Sequence, residues 1–267
     1  MRVAAIQMTS TPDKQHNLRE AHHFLLAALE KDVRLVAFPE NFSLLTASSR
    51  EYLEGSETLR GVTVESLQEW AAEYDIWILA GSIPLKIKND AKRVTNTSLL
   101  ISPEGEIKAR YDKIHLFDAF IKGDQKYKES SHIQAGRRVI NGEVDEIPVG
   151  LSICYDLRFP ELYRAQSEKG AEILFVPSAF TPLTGQAHWD ILTRARAVEN
   201  QAYLVAPAQT GSPYPGRTTY GHTRIVDPWG RVIAERPRGP GVVWADLNFE
   251  ELNRIRTELP ALTHRKL

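Results

Sequence analysis

A chain of 267 residues with 42% hydrophobic side chains can bury a sizeable core, as one large α/β domain or as two small ones. Its formal net charge is −1 and no block of five or six like charges occurs, which excludes the electrostatic footprint of a nucleic-acid groove or an anionic-membrane binder. A single cysteine excludes an intramolecular disulfide framework and suits a reducing compartment.

The opening MRVAAIQM is too short and too strand-like for a signal peptide, and no apolar run reaches the roughly 18 residues of a membrane span, so a cytoplasmic protein is expected. Residues 3–8 carry an apolar strand pattern. Asp13 is placed to cap a helix over 14–31 with Leu18, Ala21, Leu25 and Leu29 on one face. A second buried strand over 33–38 ends in Pro39 and Glu40. This βαβ pattern predicts parallel strands, with Glu40 at a carboxyl strand end, where open α/β sheets place their ligand crevice. Taken alone, a glutamate there is more often a solvated loop residue or a cap.

Residues 48–59 read as helix and loop, 64–74 as a helix and 76–82 as a strand, with Trp70 and Trp77 as core filling. The Pro103-Glu104-Gly105 turn joins strands over 95–101 and 106–111 in an antiparallel hairpin. Lys113 follows at once in RYDKIHLFD, a charge among Tyr111, Ile114, Leu116 and Phe117 that needs a partner or a purpose. Residues 119–142 have little periodicity and are expected as a long excursion over the site. Glu129 lies within it and, by position alone, can be a surface charge.

From residue 149 the βα alternation returns, with helices over 160–169 and 188–200 and strands over 149–153, 173–177 and 202–208. Gly170 is placed to end the first of these helices. Strands over 221–226, 231–235 and 242–246, separated by turns at 227–230 and 238–241, predict an antiparallel meander in which Trp229 packs a turn. A helix over 249–259 and a basic tail close the chain. No internal repeat or linker divides it.

The only cysteine is Cys154, where the strand of Val149, Leu151 and Ile153 stops and a polar turn begins. A lone cysteine is most often a small buried hydrophobe. The residues that follow, Tyr155, Asp156 and Arg158, are a poor setting for an inert thiol. At the start of a helix or turn, open backbone N–H groups are expected to favour the thiolate.

FPEN around Glu40, YDKIHLFD around Lys113, KES at Glu129 and GLSICYDLRFPEL around Cys154, followed by PSAF, TGQAHW and YGHTRIVDPWG, resemble the signature blocks of the nitrilase superfamily, the carbon–nitrogen hydrolases. The likeness runs over nearly the whole chain and is nearest to the deaminated glutathione amidases, whose sister ω-amidases share most of the blocks. Gln186 stands where the family pattern has proline. The resemblance implies an α/β fold, a single-domain four-layer α-β-β-α sandwich with mixed sheets over 1–267, assembled as a homodimer or higher homo-oligomer.

It also implies a Glu-Lys-Cys triad at Glu40, Lys113 and Cys154, with Glu129 as an accessory glutamate. Cys154 is then the nucleophile of a thioester route, Glu40 the acid and base, and Lys113 with the Tyr155 N–H the oxyanion donors. Arg158, Phe180, Thr184 and His188 fall in the shared blocks as substrate-binding candidates, although Arg158 reads better as a tether beneath Cys154. The implied substrate is deaminated glutathione, with α-ketoglutaramate as the nearer alternative and a nitrile, or metabolite binding without catalysis, behind it.

Other conspicuous residues have plainer readings. His115, His188 and His222 are expected as hydrogen-bonding structure or pocket lining, and Arg196 and Glu199 as a helix pair. His22 and His23 lack the spacing of a metal site, and no Walker or dinucleotide fingerprint implies a cofactor.

Overall fold

The computed structural model describes residues 1–122 and 126–266. Strand β1 (Arg2–Gln7) shows what organises its sheet: Val3 and Ala5 enter one core and Ala4 and Ile6 another, the period-two alternation of a strand buried on both faces. Helix α1 (Lys14–Leu29) begins at Asp13, whose carboxylate accepts the His16 N–H at 3.0 Å. It lays Leu18, Ala21, Leu25 and Ala28 on the second core. Strand β2 (Leu35–Ala37) pairs parallel with β1, as the βαβ pattern predicts.

Two further helices, α2 (Ser49–Glu54) and α3 (Val62–Tyr74), precede the parallel strand β3 (Trp77–Leu79). Val64, Leu67 and Ala71 of α3 join the core under α1. Trp77 is buried as expected, but Trp70 is only half-buried and stacks on His22 at 4.8 Å. Strand β4 (Ile83–Ile87) escapes the sequence reading because Pro84 and the lysines around it blur its alternation. Strand β5 (Asp90–Ile101) takes β3 and β4 end to end along one edge and β6 (Ile107–Asp112) along the other.

The segment expected as an unpatterned excursion contains a small hairpin, β7 (Asp118–Phe120) with β8 (Lys126–Lys128), and strand β9 (Asn141–Val144). Its residues 123–125 lie outside the described residues. Strand β9 opens the second sheet by pairing with β10 (Ile147–Leu151). Helix α4 (Pro160–Glu168) leads to β11 (Ile173–Phe175), and Gly170 takes the positive φ of +86° that ends that helix.

A short turn of helix, α5 (Pro182–Thr184), runs through a π-turn at Gly185–Trp189 into α6 (Asp190–Asn200), so this helical stretch starts earlier than the expected residue 188. Gln186 is an exposed residue of the π-turn. Strand β12 (Tyr203–Ala206) completes the parallel run β10-β11-β12.

A hairpin absent from the sequence reading, β13 (Thr210–Tyr214) with β14 (Arg217–Tyr220), comes next. Strands β15 (Thr223–Val226) and β16 (Val232–Arg236) extend the second sheet to the order β16-β15-β12-β11-β10-β9. The expected meander stops there. Strand β17 (Gly241–Asp246) leaves that sheet and pairs antiparallel with β1, so the first sheet is closed by residues more than 230 positions away. Periodicity identifies a strand without saying which edge will receive it.

Helix α7 (Phe249–Glu258) follows, and Trp229 is 54% exposed at the tip of its turn rather than packed beneath it. Helices α1 and α3 cover one sheet, α4 and α6 the other, and the inner faces meet through Val3, Leu35, Leu79 and Leu100 on one side and Val149, Leu151, Ile173 and Phe175 on the other. The result is an α-β-β-α sandwich of mixed sheets.

Candidate active site

The carboxyl ends of β2 and β10 open on the same crevice, and each delivers one reactive side chain to it. Glu40 follows β2 after Phe38 and Pro39 and is 4% exposed. Gly81, at φ +55°, lets its backbone lie against the Pro39 carbonyl, which a Cβ would meet at 2.1 Å. Gln209 ties this strand end to the other sheet: its amide N–H groups reach the Glu40 carbonyl at 3.0 Å and Ser10 Oγ at 2.7 Å.

Lys113 is held by its backbone. Its N–H donates to the Asn96 carbonyl at 2.9 Å and its carbonyl accepts the Gly136 N–H at 2.8 Å. Gly136 is required there because a Cβ would meet the Asp112 carbonyl at 2.0 Å. The side chain, 2% exposed, directs Nζ to Glu40 Oε1 at 2.8 Å and to both Glu129 oxygens at 3.0 Å.

Burial by itself would lower the Lys113 pKa, but the charges of Glu129 and Glu40 outweigh it and hold the pKa well above the ordinary lysine value. The ammonium is thereby permanent at neutral pH. Glu129, on a 3-10 turn after β8, also accepts the Phe117 N–H at 2.6 Å. It is a structural partner of the lysine and not a loose surface charge. Asn96 donates to Glu40 at 3.2 Å, completing the cluster.

Cys154 begins a 3-10 turn after β10 with φ at +48°, a left-handed backbone unusual for a side-chain-bearing residue. Two contacts over-determine it. Its N–H donates to the Pro177 carbonyl at 2.9 Å, and the fully buried Asp156 accepts the neighbouring Ile153 N–H at 2.8 Å. Asp156 also accepts the Tyr111 hydroxyl at 2.7 Å and the His115 N–H at 3.0 Å, so one carboxylate positions both the cysteine turn and the segment carrying Lys113. His115 completes that bond network through its ring and stacks on Phe159. The sequence reading treated Asp156 only as polar context.

The expectation of a resting thiolate is overturned. Burial and then the adjacent Glu40 charge push the Cys154 pKa well up; Lys113 and the Ala179 N–H pull the other way without prevailing. The resting group is a thiol hydrogen-bonded to Glu40, a base beside the proton it can take. The alkylation rate of Cys154 by iodoacetamide should therefore keep climbing above pH 9.0, the ordinary thiol value. A plateau already reached at pH 7 would show a preformed thiolate instead.

Glu40, Lys113, Glu129 and Cys154 line one pocket of about 360 Å³, walled by Tyr52, Phe117, Tyr127 and Tyr214, with Lys126 and Lys128 exposed at its rim. Tyr155 follows the cysteine, and its ring packs between Phe117 and Phe159. The other sequence candidates lie outside the pocket. Arg158 sets its guanidinium over the Tyr155 and Phe180 rings and donates to His188 Nδ1 at 3.0 Å, tethering flanking rings rather than Cys154 itself.

Phe180 packs edge-on against Trp189, and Thr184 bonds back to Thr181 as part of a helix cap. His188, its pKa lowered by burial and then by Arg158, lines a separate shallow cleft with Ile191 and Leu192. His222 bonds Glu235, and Arg196 meets Glu199 at 2.9 Å, the helix pair expected. Among the described residues no three His, Cys, Asp or Glu side chains gather as for a metal ion, and no helix is long and apolar enough to cross a membrane. Sequence reasoning missed Asn96, Gln209 and Arg217, which no local motif marks, and gave no role to Ala179 within PSAF.

The carbon–nitrogen hydrolase family model matches residues 2–257. A deaminated glutathione amidase of Synechocystis sp. is 43% identical over 264 residues, covering 98% of this chain and 97% of its own length. Among solved structures, the Caenorhabditis elegans NitFhit protein superposes with a TM-score of 0.93 at 38% identity, over 99% of this chain and 65% of that longer one. A Saccharomyces cerevisiae protein of branch 10 of the nitrilase superfamily superposes with a TM-score of 0.90 at 30% identity, over 100% of this chain and 97% of that one.

Proposed function

The chain belongs to the carbon–nitrogen hydrolase family, and from that premise we propose that it hydrolyses the amide of deaminated glutathione, giving 2-oxoglutarate and cysteinylglycine. The observation that carries the chemistry is the meeting of a thiol, a carboxylate and an ammonium from three distant segments at one pocket floor. Cys154 attacks the amide carbonyl as Glu40 takes its proton. Lys113 and the Tyr155 N–H stabilise the oxyanion, and Glu40 returns the proton to the departing nitrogen. Water, activated by Glu40, then cleaves the thioester and releases the acid. Glu129 keeps Lys113 ionised and aimed.

The substrate carries two carboxylates, and the cationic rim of Lys126 and Lys128 supports a dianion. A pocket of about 360 Å³ falls within the small-molecule range of about 300–1,000 Å³. The exposed Ile191 and Val198 on α6, beside Trp229, support a homodimer, and the single cysteine supports a reducing, cytoplasmic setting. Comparing kcat/KM on deaminated glutathione and α-ketoglutaramate tests the substrate. The expected preference is for the former by about tenfold or more, since its leaving dipeptide adds a charge for the rim to hold; a reversed ratio would make the protein an ω-amidase.

A further inference from the structure

Arg217, on β14, is only 8% exposed and lines the pocket that holds Cys154, yet among the described residues no carboxylate pairs with it. Its terminal NH2 donates to the Ala179 carbonyl at 2.8 Å, and its guanidinium lies 5.0 Å from the centre of the Tyr127 ring. Among the described residues Nε and the other terminal nitrogen have no hydrogen-bond partner. Leaving two donors of a buried cation unmet is costly, so such a group calls for an anion supplied from outside the chain. Every other buried charge at this pocket is already matched: Lys113 is held between two carboxylates.

We propose that Arg217 is the anchor for a carboxylate on the acyl half of the substrate, the half that remains on Cys154 as the thioester. The assignment rests on the amidase reading for its substrate and supplies the specificity element that reading lacks. Ala179 sets the scale: its N–H faces the Cys154 sulfur and its carbonyl accepts from Arg217. Two hydrogen bonds and one residue of backbone place the guanidinium within about 10 Å of the sulfur. A five-carbon dicarboxylic acyl chain spans that gap, with its far carboxylate on the guanidinium. The hydrogen that the terminal NH2 of Arg217 does not give to Ala179 sits beside one of the two unmet donors, and that pair makes the fork in which arginine meets a carboxylate. Lys126 and Lys128, exposed at the rim, are left for the leaving half.

The test uses glutaramate, an amide with a carboxylate at the far end of its acyl chain, and pentanamide, its neutral counterpart of equal length. With Arg217→Met, kcat/KM for glutaramate should fall by about 100-fold or more, while that for pentanamide stays within about threefold. Arg217→Lys, which keeps the charge but loses the fork, should fall between the two and serves if the methionine variant does not fold. Calorimetric binding of 2-oxoglutarate should weaken in the same order. Equal losses on both amides, or unchanged 2-oxoglutarate affinity in Arg217→Met, would overturn the assignment. Binding of 2-oxoglutarate that depends on Arg217, in a protein that hydrolyses neither amide, would retain the anchor and remove the amidase reading.

Discussion

Cys154→Ala is expected to lower kcat by about 10⁴-fold or more, because the sulfur that carries the acyl intermediate is gone. The protein should still fold. Cys154 contributes one small side chain to the core, so the melting temperature should move by only about 2–4 °C, the shift of roughly 1 kcal/mol in a chain of this size. Cys154→Ser should be almost as inactive, since a hydroxyl is a far weaker acid and Glu40 must then remove a more tightly held proton. Ammonia or dipeptide release followed beside a melting curve decides it. Amide hydrolysis surviving in the alanine variant would mean that the cysteine is not the nucleophile and would shift attention to the histidines.

Lys113→Met is expected to harm both rate and stability, and by different routes. Losing an oxyanion donor costs about 100- to 1,000-fold in kcat. Losing the cation also leaves Glu40 and Glu129 facing one another with side chains only 5% and 16% exposed, at a cost of about 3–5 kcal/mol. The pH dependence follows from the raised pKa of Lys113. The unfolded chain sheds that proton first, so the stabilisation is complete below the ordinary lysine value of about 10.4 and declines as pH rises through the higher folded value. The stability gap between wild type and Lys113→Met, measured by urea unfolding, should therefore be flat in its lysine contribution across pH 7–9 and narrow only in stronger alkali. A gap that closed near neutrality would mean that Lys113 is not held as an ammonium.

The candidate triad was legible because each member sits in a short stretch whose composition is odd for its place: a carboxylate after a buried strand, an ammonium among aromatics, a thiol before a polar turn. What surrounds those groups was not legible. Asn96 reaches Glu40 across 56 positions and Gln209 across 169, contacts that exist only once the sheets have stacked. Arg217 belongs to a hairpin whose Pro-Gly turn gives little sign of facing a pocket. The thiolate expectation failed for a related reason, since the strand end revealed local N–H groups but neither the depth of burial nor the neighbouring Glu40 charge. In the fold, βαβ alternation gave the parallel cores of both sheets, whereas the destination of β17 depended on an edge formed at the other end of the chain.

That distant edge governs the order of assembly during synthesis. A ribosome delivers β1 first, and its outer backbone groups must wait for a mate that emerges only after some 240 further residues have been made. Until then the nascent chain presents a ready template for another molecule's strand. Hydrolytic competence thus arrives late, once the tail has sealed the sheet that holds the acid, and a chain cut short before Asp246 is left sticky rather than merely slow.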